Sequence, residues 1–199
     1  QMTIVENGQN KRPDIIIFLN GIPIIVIELK NATDSNATIE KALQQLRTYH
    51  RTIPSLFGYN LLEIISDGLE ARVGTVTADI SRFMTWKTAD GSNIASGRTN
   101  QLETLVRGLL DKPTLLSFFR NFTVFEQFKR EDPQTGTITI GTAKKIAAYH
   151  QYYAVLKAVE ATRHAVEDGT GKAGVIWHTQ GSGKSLSMVF YTGMLVQEL

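Results

Sequence analysis

Two runs of apolar, β-branched residues near the start of the chain predict paired β-strands. The segments Ile15–Leu19 and Ile22–Leu29 flank Asn20-Gly21, a dipeptide that is typical of two-residue hairpin turns. Neither run alternates apolar with polar residues, so we expect both faces of the pair to be covered and the pair to lie centrally in a sheet. The pattern therefore predicts an antiparallel hairpin over residues 13–30.

A helix and two further strands are predicted after this hairpin. Apolar residues recur at helical spacing over residues 38–51. The apolar run 61–66 and the segment 69–76 are separated by the turn dipeptide Asp67-Gly68, which favours a second pair of strands. This order of strand, strand, helix, strand and strand predicts an α/β sheet.

The second half of the chain shows a polar loop followed by mostly helical patterns. Residues 88–100 are rich in Gly, Ser and Asn and predict a surface loop. Residues 102–128 predict a helix interrupted at Pro113, with a bulky apolar cluster that we expect in a core or an interdomain seam. Turn residues surround a short predicted strand at 131–142, and a long helix is predicted over 143–166.

Composition narrows the class of protein. The chain has 199 residues, 42% of them hydrophobic and 20% charged, which excludes a collagen-like or wholly disordered chain. The absence of cysteine excludes disulfides, cysteine-ligated zinc, iron–sulfur clusters and a thiol nucleophile, and it fits a cytoplasmic protein. The apolar runs are too short to span a bilayer. Because the net charge of the chain is only +2, any affinity for nucleic acid has to come from a local patch of positive charge.

The sequence near the end of the chain predicts a phosphate-binding loop. A buried strand is predicted at 174–177, followed by the glycine-bearing turn HTQGSGKS and by a helix that begins at Lys184. In this context the backbone N–H groups face phosphate oxygens, Lys184 neutralises the β- and γ-phosphates, and Ser185 binds Mg²⁺. His178 stands where the usual pattern has a small residue. The alternative, a glycine-rich turn without a ligand, is disfavoured because both flanks match.

Three charged residues are predicted to converge at the end of the hairpin. A turn at Asn20-Gly21 places Asp14 opposite Glu28, and Lys30 shares a strand face with Glu28. Two carboxylates and a lysine beside an apolar hairpin suit a Mg²⁺ site, with the lysine positioning water or stabilising charge on a scissile phosphate. The alternative is a structural salt bridge at a strand end.

The pattern Pro-Asp, a spacer and then Glu-x-Lys resembles the PD-(D/E)xK nuclease superfamily. Gln45 and Tyr49 lie one helical turn apart in the next helix. They resemble the QxxxY motif that accompanies the nuclease motif in some branches, where it is thought to contact the DNA backbone or support the site. The alternative for Tyr49 is an ordinary half-buried helix aromatic.

The motifs in combination resemble the restriction, or motor and nuclease, subunit of type I restriction-modification enzymes. The matching segments include KRPDIIIFLNGIPIIVIELKN, QQLRTY, SDGLEARVGT, RFMTWK, AYHQYYAVLKAVE and WHTQGSGKS, and they span essentially the whole chain. The resemblance implies a restriction-endonuclease-like α/β core followed by the beginning of a RecA-like domain. The expected bounds are 1–125 for a nuclease domain lacking its N-terminus, 126–142 for a connector and 143–199 for a truncated motor domain.

By this resemblance, two sets of residues carry the chemistry. The nuclease set has Asp14, Glu28 and Lys30 as catalytic residues, Asp14 and Glu28 as Mg²⁺ ligands, and Gln45 and Tyr49 as supporting residues. The expected nucleotide set is Gln151, Thr179, Gly181, Ser182, Gly183, Lys184 and Ser185. Within it, Gln151 is expected to contact the adenine of ATP, and Ser185 the Mg²⁺ bound with ATP.

The resemblance implies an activity of a larger assembly. The intact protein is expected to hydrolyse ATP, to translocate double-stranded DNA and to cleave it far from the recognition site, joined to methyltransferase and specificity subunits. We expect the chain alone not to hydrolyse ATP, because it lacks an acidic motif after the phosphate loop and a second RecA-like domain. A repair or recombination helicase-nuclease and a non-catalytic ATP-binding module that tracks DNA remain the alternatives.

Overall fold

The strands and helices of the computed structural model, which describes residues 2–31, 38–97 and 99–198, form a mixed α/β fold. The strands are β1 (Ile4–Glu6), β2 (Gln9–Lys11), β3 (Ile15–Leu19), β4 (Ile22–Leu29), β5 (Leu62–Ser66), β6 (Ala71–Gly74), β7 (Thr123–Glu131) and β8 (Ile138–Ile146). The α-helices are α1 (Ile39–Thr52), α2 (Gln101–Gly108), α3 (Lys112–Asn121), α4 (Tyr149–Glu167) and α5 (Lys184–Glu198). Short 3₁₀ turns cover Pro54–Phe57 and Ile80–Arg82.

A four-stranded sheet in the order β3-β4-β5-β6 positions the candidate nuclease residues. The predicted hairpin is confirmed: β3 and β4 are antiparallel, Ile15 lies opposite Ile27, and Asn20 and Gly21 both adopt positive φ in the turn. Strand β5 runs parallel to β4, and α1 connects them. The carboxyl ends of β4 and β5 therefore meet at one edge of the sheet.

The expectation of a fully central hairpin is wrong for one of its strands. Strand β4 is covered on both faces, whereas β3 is at the edge of the sheet and pairs only with β4 among the described strands. Ile15 and Phe18 of β3 each keep more than two fifths of their surface exposed. A continuous apolar run predicts burial but does not specify where a strand lies in the sheet.

The two faces of the sheet are covered by different helices. Helix α1 packs on the face that presents Val26 and Ile65. The other face, which presents Ile25 and Ile64, packs on a core that includes residues of α2, α3, α4 and α5. Alternation along β4 places Glu28 on the α1 side, together with Val26. This arrangement places Glu28 on the same side of the sheet as the helix that carries Gln45 and Tyr49.

The prediction of helix through residues 102–128 is wrong at its C-terminal end. Pro113 lies in the first turn of α3, where it needs no N–H partner, and the helix ends at Asn121. Residues 123–128 belong to β7, which pairs antiparallel with β8 along its whole length. The predicted connector 126–142 falls within this hairpin. Phenylalanine and β-branched residues after Asn121 suit a paired strand better than an exposed helix.

The long helix predicted from residue 143 begins later. Residues 143–146 complete β8, and α4 starts at Tyr149. Helix α4 packs into a buried aromatic cluster, which comprises Trp86, Phe118, Phe122, Tyr152 and Phe190. Because these five residues come from the segment after β6, from α3 and its C-cap, from α4 and from α5, the cluster joins the sheet to the C-terminal helices.

The buried strand predicted at 174–177 is absent. These residues are irregular, and Val175 and Trp177 are 95% and 83% exposed. No other described strand pairs with this segment. An apolar run becomes a buried strand only where neighbouring strands satisfy its backbone and cover its side chains, and the described residues supply none here. The helix predicted after it is confirmed as α5.

The predicted domain bounds remain predictions, and the end positions 1 and 199 lie outside the described residues. The hydrophobic core is continuous from β4 to Phe190 and Met194 of α5. Within the described ranges, no helix is long and apolar enough to cross a membrane.

Candidate nuclease and nucleotide sites

Asp14 and Glu28 lie together at the open end of the β3–β4 hairpin. The Asp14 carboxylate accepts a hydrogen bond from the backbone N–H of Leu29, with Asp14 Oδ2 2.8 Å from the nitrogen. Because Leu29 directly follows Glu28, this cross-strand bond fixes the Asp14 side chain beside the second carboxylate. The closeness predicted from the hairpin register is therefore present in the structure.

Lys30 forms a short ion pair with Glu28. Lys30 Nζ lies 2.7 Å from Glu28 Oε1, and the Glu28 side chain is only 4% exposed. The second oxygen, Glu28 Oε2, is buried and has no hydrogen-bond partner among the described residues. A buried carboxylate oxygen without a donor is costly, so this oxygen is suited to bind a cation.

Gln45 and Tyr49 of α1 complete the cluster around Glu28. The Tyr49 hydroxyl lies close to the Glu28 carboxylate, and the Gln45 side chain lies close to Tyr49. The Tyr49 hydroxyl donates to the backbone oxygen of Arg12, at 3.4 Å. The residue itself is buried. Helical spacing and the packing of α1 on β4 thus bring all five predicted nuclease residues to one place.

The electrostatics of the cluster favour added positive charge. Burial raises the pKa of Glu28 above its ordinary value, and the neighbouring Asp14 charge raises it further, while Lys30 acts in the opposite direction. Burial also raises the pKa of Tyr49 to about 12, and the Glu28 charge contributes. The cluster thus holds two carboxylates and a single lysine. Carboxylate oxygens are the ligand type that Mg²⁺ binds.

The carboxylates of Asp14 and Glu28 form an oxygen donor set that could hold Mg²⁺. Oxygen ligands from one or two carboxylates are usual for Mg²⁺, which keeps several water or phosphate ligands. Across the ranges that the structure describes, no cluster of three or more His, Asp or Glu residues is placed to hold a metal ion. An ion held by these two carboxylates alone would keep water or phosphate oxygens as its other ligands.

The phosphate loop lies before α5 and has the backbone conformation that its glycines allow. Gly181 and Gly183 adopt φ of +79° and +77°. Lys184 Nζ donates to the backbone oxygens of His178 and Thr179, at 3.2 and 3.0 Å. The Lys184 ammonium group thus bridges two backbone carbonyl oxygens of the loop. Ser185, at the first turn of the helix, is exposed.

Gln151 is buried and joins the start of α4 to the phosphate loop. Its Oε1 accepts from the N–H of Ala148 at 2.8 Å, and its Nε2 donates to the backbone oxygen of Gly183 at 2.9 Å. Only 4% of the residue is exposed. Gln151 and the predicted loop residues therefore lie together, and Gln151 supports the loop directly.

One buried polar network was not anticipated from the sequence. Glu63 on β5 is fully buried and pairs with Nε2 of His50, while Arg47 donates to the backbone oxygens of Val76 and Ala78. Lys144 of β8 contributes a positive charge near Glu63. The only sequence signal was an acidic residue inside an apolar strand. Its contacts depend on α1 and on a hairpin distant in the sequence.

Sequence models of two protein families match separate parts of the chain. Residues 1–82 match the family described as the N terminus of the type I restriction enzyme R protein. Residues 150–199 match the SWI2/SNF2 ATPase family. The first match contains the cluster of Asp14, Glu28 and Lys30, and the second contains the phosphate loop.

Curated relatives match almost the whole chain. It is 45% identical over 196 residues to the type I restriction enzyme HindI endonuclease subunit of Haemophilus influenzae, covering 96% of this chain. It is 33% identical over 206 residues to the putative type I restriction enzyme MjaIXP endonuclease subunit of Methanocaldococcus jannaschii, covering 94% of this chain. The chain spans 18% of the length of each of these two proteins. It therefore belongs to the type I restriction enzyme R protein family, in which it corresponds to the N-terminal region of the endonuclease subunit.

Proposed function

We propose that the chain is the nuclease part and the beginning of the ATP-driven motor of a type I restriction endonuclease subunit. In this proposal the β3–β6 sheet with α1 is a PD-(D/E)xK core, and the segment from α4 onwards is the start of a RecA-like domain. The convergence of Asp14, Glu28, Lys30 and Tyr49 at one sheet edge is the observation that carries the proposal.

The proposed nuclease site cleaves DNA in a Mg²⁺-dependent reaction. Asp14 and Glu28 would hold the ion, and Tyr49 and Gln45 keep the Glu28 carboxylate in place. When bound, Mg²⁺ supplies Lewis-acid activation of the scissile phosphate and of a water nucleophile. Lys30 carries its ammonium group at the rim of the site, with its side chain 27% exposed. It is therefore placed to orient water or to offset negative charge on the phosphate.

The proposed nucleotide site binds ATP with Mg²⁺. The backbone N–H groups at the start of α5 and the Lys184 ammonium group face a ligand phosphate, and Ser185 supplies an oxygen for the ion. Lys184 would exchange its two carbonyl contacts for phosphate oxygens. ATP hydrolysis also needs an acidic group and an arginine, which the motor of the complete subunit would supply.

The proposed activity of the complete subunit involves partners. We propose that it translocates double-stranded DNA with energy from ATP and works with methyltransferase and specificity subunits. The names of the relatives as type I restriction enzyme subunits support this assembly. Sequence recognition would then belong to the specificity subunit.

A metal titration tests the nuclease proposal. We expect calorimetry with Mn²⁺ to show one site that depends on Glu28, so Glu28→Gln should weaken binding at least tenfold. The matched control is Glu40→Gln, which makes the same chemical change at an exposed position of α1 and should leave the affinity unchanged. Equal affinity in all three proteins would contradict the proposal and would favour a non-catalytic ATP-binding module.

A further inference from the structure

A buried pair of His50 and Glu63 lies beside the nuclease cluster without belonging to it. Glu63 is fully buried in β5, and its Oε1 meets Nε2 of His50. The other oxygen, Glu63 Oε2, is buried without a hydrogen-bond partner among the described residues. Burying a carboxylate is costly, and a buried ion pair is seldom more stable than packed apolar side chains of similar size. Stability therefore does not explain the pair, whereas a role in fixing the position of α1 does.

The contacts around His50 fix the orientation of its ring. Arg47 Nη1 lies 3.3 Å from His50 Nδ1. Because an arginine nitrogen can only donate, Nδ1 accepts and the ring proton lies on Nε2, which donates it to Glu63. Phe57 meets the same ring edge to face, with the ring centroids 4.3 Å apart. The imidazole is thus held on both nitrogens and on its face.

Consecutive residues of α1 contact two neighbouring strands of the sheet. Tyr49 lies close to Glu28 of β4, and His50 bonds to Glu63 of β5. These strands are parallel with Val26 opposite Glu63, so Glu28, two positions beyond Val26, is on the same face as Glu63. A displacement of α1 along the sheet by one helical turn would break both contacts. The two contacts together therefore define the register of the helix on the sheet.

Apolar packing alone does not define this register. Helix α1 also packs on the sheet through apolar residues such as Ala42 and Leu46. Such contacts are not directional, so they hold the helix against the sheet without fixing its position along it. Tyr49 requires a fixed position, because its hydroxyl donates to the backbone oxygen of Arg12 at 3.4 Å. The directional bond of His50, one residue further along the helix, supplies that constraint.

We propose that His50 and Glu63 are positioning residues of the nuclease site, whose hydrogen bond holds α1 in the register that keeps Tyr49 beside Glu28. The inference rests on the proposed nuclease site and adds two residues that act on it from outside. Both act through Tyr49 and touch neither the DNA nor the metal ion. Removal of the pair should therefore slow cleavage without lowering the stability of the fold.

DNA cleavage by the complete restriction complex at saturating Mg²⁺ tests this role. The double variant His50→Leu/Glu63→Leu replaces the pair with apolar side chains, so its Tm should equal or exceed that of the wild type. Its cleavage rate should fall about tenfold, because the site is displaced, while ATP hydrolysis is retained. The matched control is His164→Leu/Glu167→Leu, the same change at a pair on α4 whose side chains are 60% and 59% exposed. It should cleave at the wild-type rate.

Combination with Tyr49→Phe separates positioning from a general structural effect. Tyr49→Phe should slow cleavage, and adding it to the double variant should slow cleavage no further, because both changes remove the same contact. Independent effects that multiply in full would overturn the inference, as would wild-type cleavage by Tyr49→Phe. If the double variant lowers the Tm, His50→Phe carries the same expectations for cleavage, because it keeps a ring against Phe57 and removes only the bond to Glu63.

A further variant separates this inference from the nuclease site on which it rests. Glu28→Gln should abolish cleavage, and wild-type cleavage by that variant would overturn the nuclease site itself. If Glu28→Gln loses cleavage while His50→Leu/Glu63→Leu and His50→Phe cleave at the wild-type rate, the nuclease site stands and the positioning role is wrong.

Discussion

Truncation of the Phe122 side chain should reduce the stability of the core that the sheet shares with the C-terminal helices more than truncation of any other residue. Phe122 is fully buried, and its ring centroid lies 6.0 Å from that of Phe118, 4.6 Å from Tyr152 and 5.4 Å from Phe190. Truncating such a phenylalanine costs about 3–5 kcal/mol because the transfer free energy is lost and a cavity remains. For a chain of this size, that cost corresponds to a decrease in Tm of roughly 6–20 °C.

Scanning calorimetry of Phe122→Ala measures this effect. We expect one unfolding transition in the wild type, shifted as a whole in the variant, because the sheet and α4–α5 share a core. The control is Phe119→Ala on α3, where the side chain is 49% exposed, with an expected cost below about 1 kcal/mol. Two independent transitions, of which only one shifts, would refute the shared core. An equal decrease in Tm in the two variants would refute the claim that the buried Phe122 side chain stabilises this core.

Three further predictions concern the loop, the hairpin and a turn. Gly183→Ala should weaken ATP binding in calorimetry, because a Cβ at φ +77° would lie 2.6 Å from Gln151 Nε2; unchanged affinity would contradict this. Lys144→Ala should lower the free energy of unfolding by about 1–3 kcal/mol in urea titrations, because the Asn60 carbonyl loses its lysine donor. NMR titration should give Asp90 a pKa of about 2, lowered by backbone N–H groups. Its stabilising effect is then present above the unfolded pKa of about 4 and is lost as the pH falls towards 2.

The nuclease cluster could be predicted because its determinants are local. The Asn20-Gly21 turn pairs β3 with β4, and a one-residue shift of register between Ile17 and Phe18 brings Asp14 opposite Glu28. Helical periodicity places Gln45 beside Tyr49. The packing of α1 on β4 follows from the apolar faces of both elements. Short-range rules therefore predict the convergence of the charged residues, whereas the family resemblance was needed to include Gln45 and Tyr49.

Features that depend on distant neighbours could not be predicted in this way. Residues 123–128 have a helix-like spacing of aromatics, but pairing with β8 makes them a strand. Residues 174–177 have strand composition, but they lack a partner strand among the described residues. The network of Glu63 with His50 and Lys144 joins α1 and β5 to β8, which lies far along the chain from both. In each case tertiary contacts decide between local preferences.

DNA cleavage by the complete restriction complex, with this chain as part of its R subunit, tests the central claim most directly. The comparison is between Lys30→Ala and Lys41→Ala, a lysine at an exposed position of α1, with ATP hydrolysis measured in parallel. We predict that Lys30→Ala abolishes cleavage and retains ATP hydrolysis, while Lys41→Ala retains both activities. Cleavage at the wild-type rate by the Lys30→Ala complex would contradict the assignment of the nuclease site.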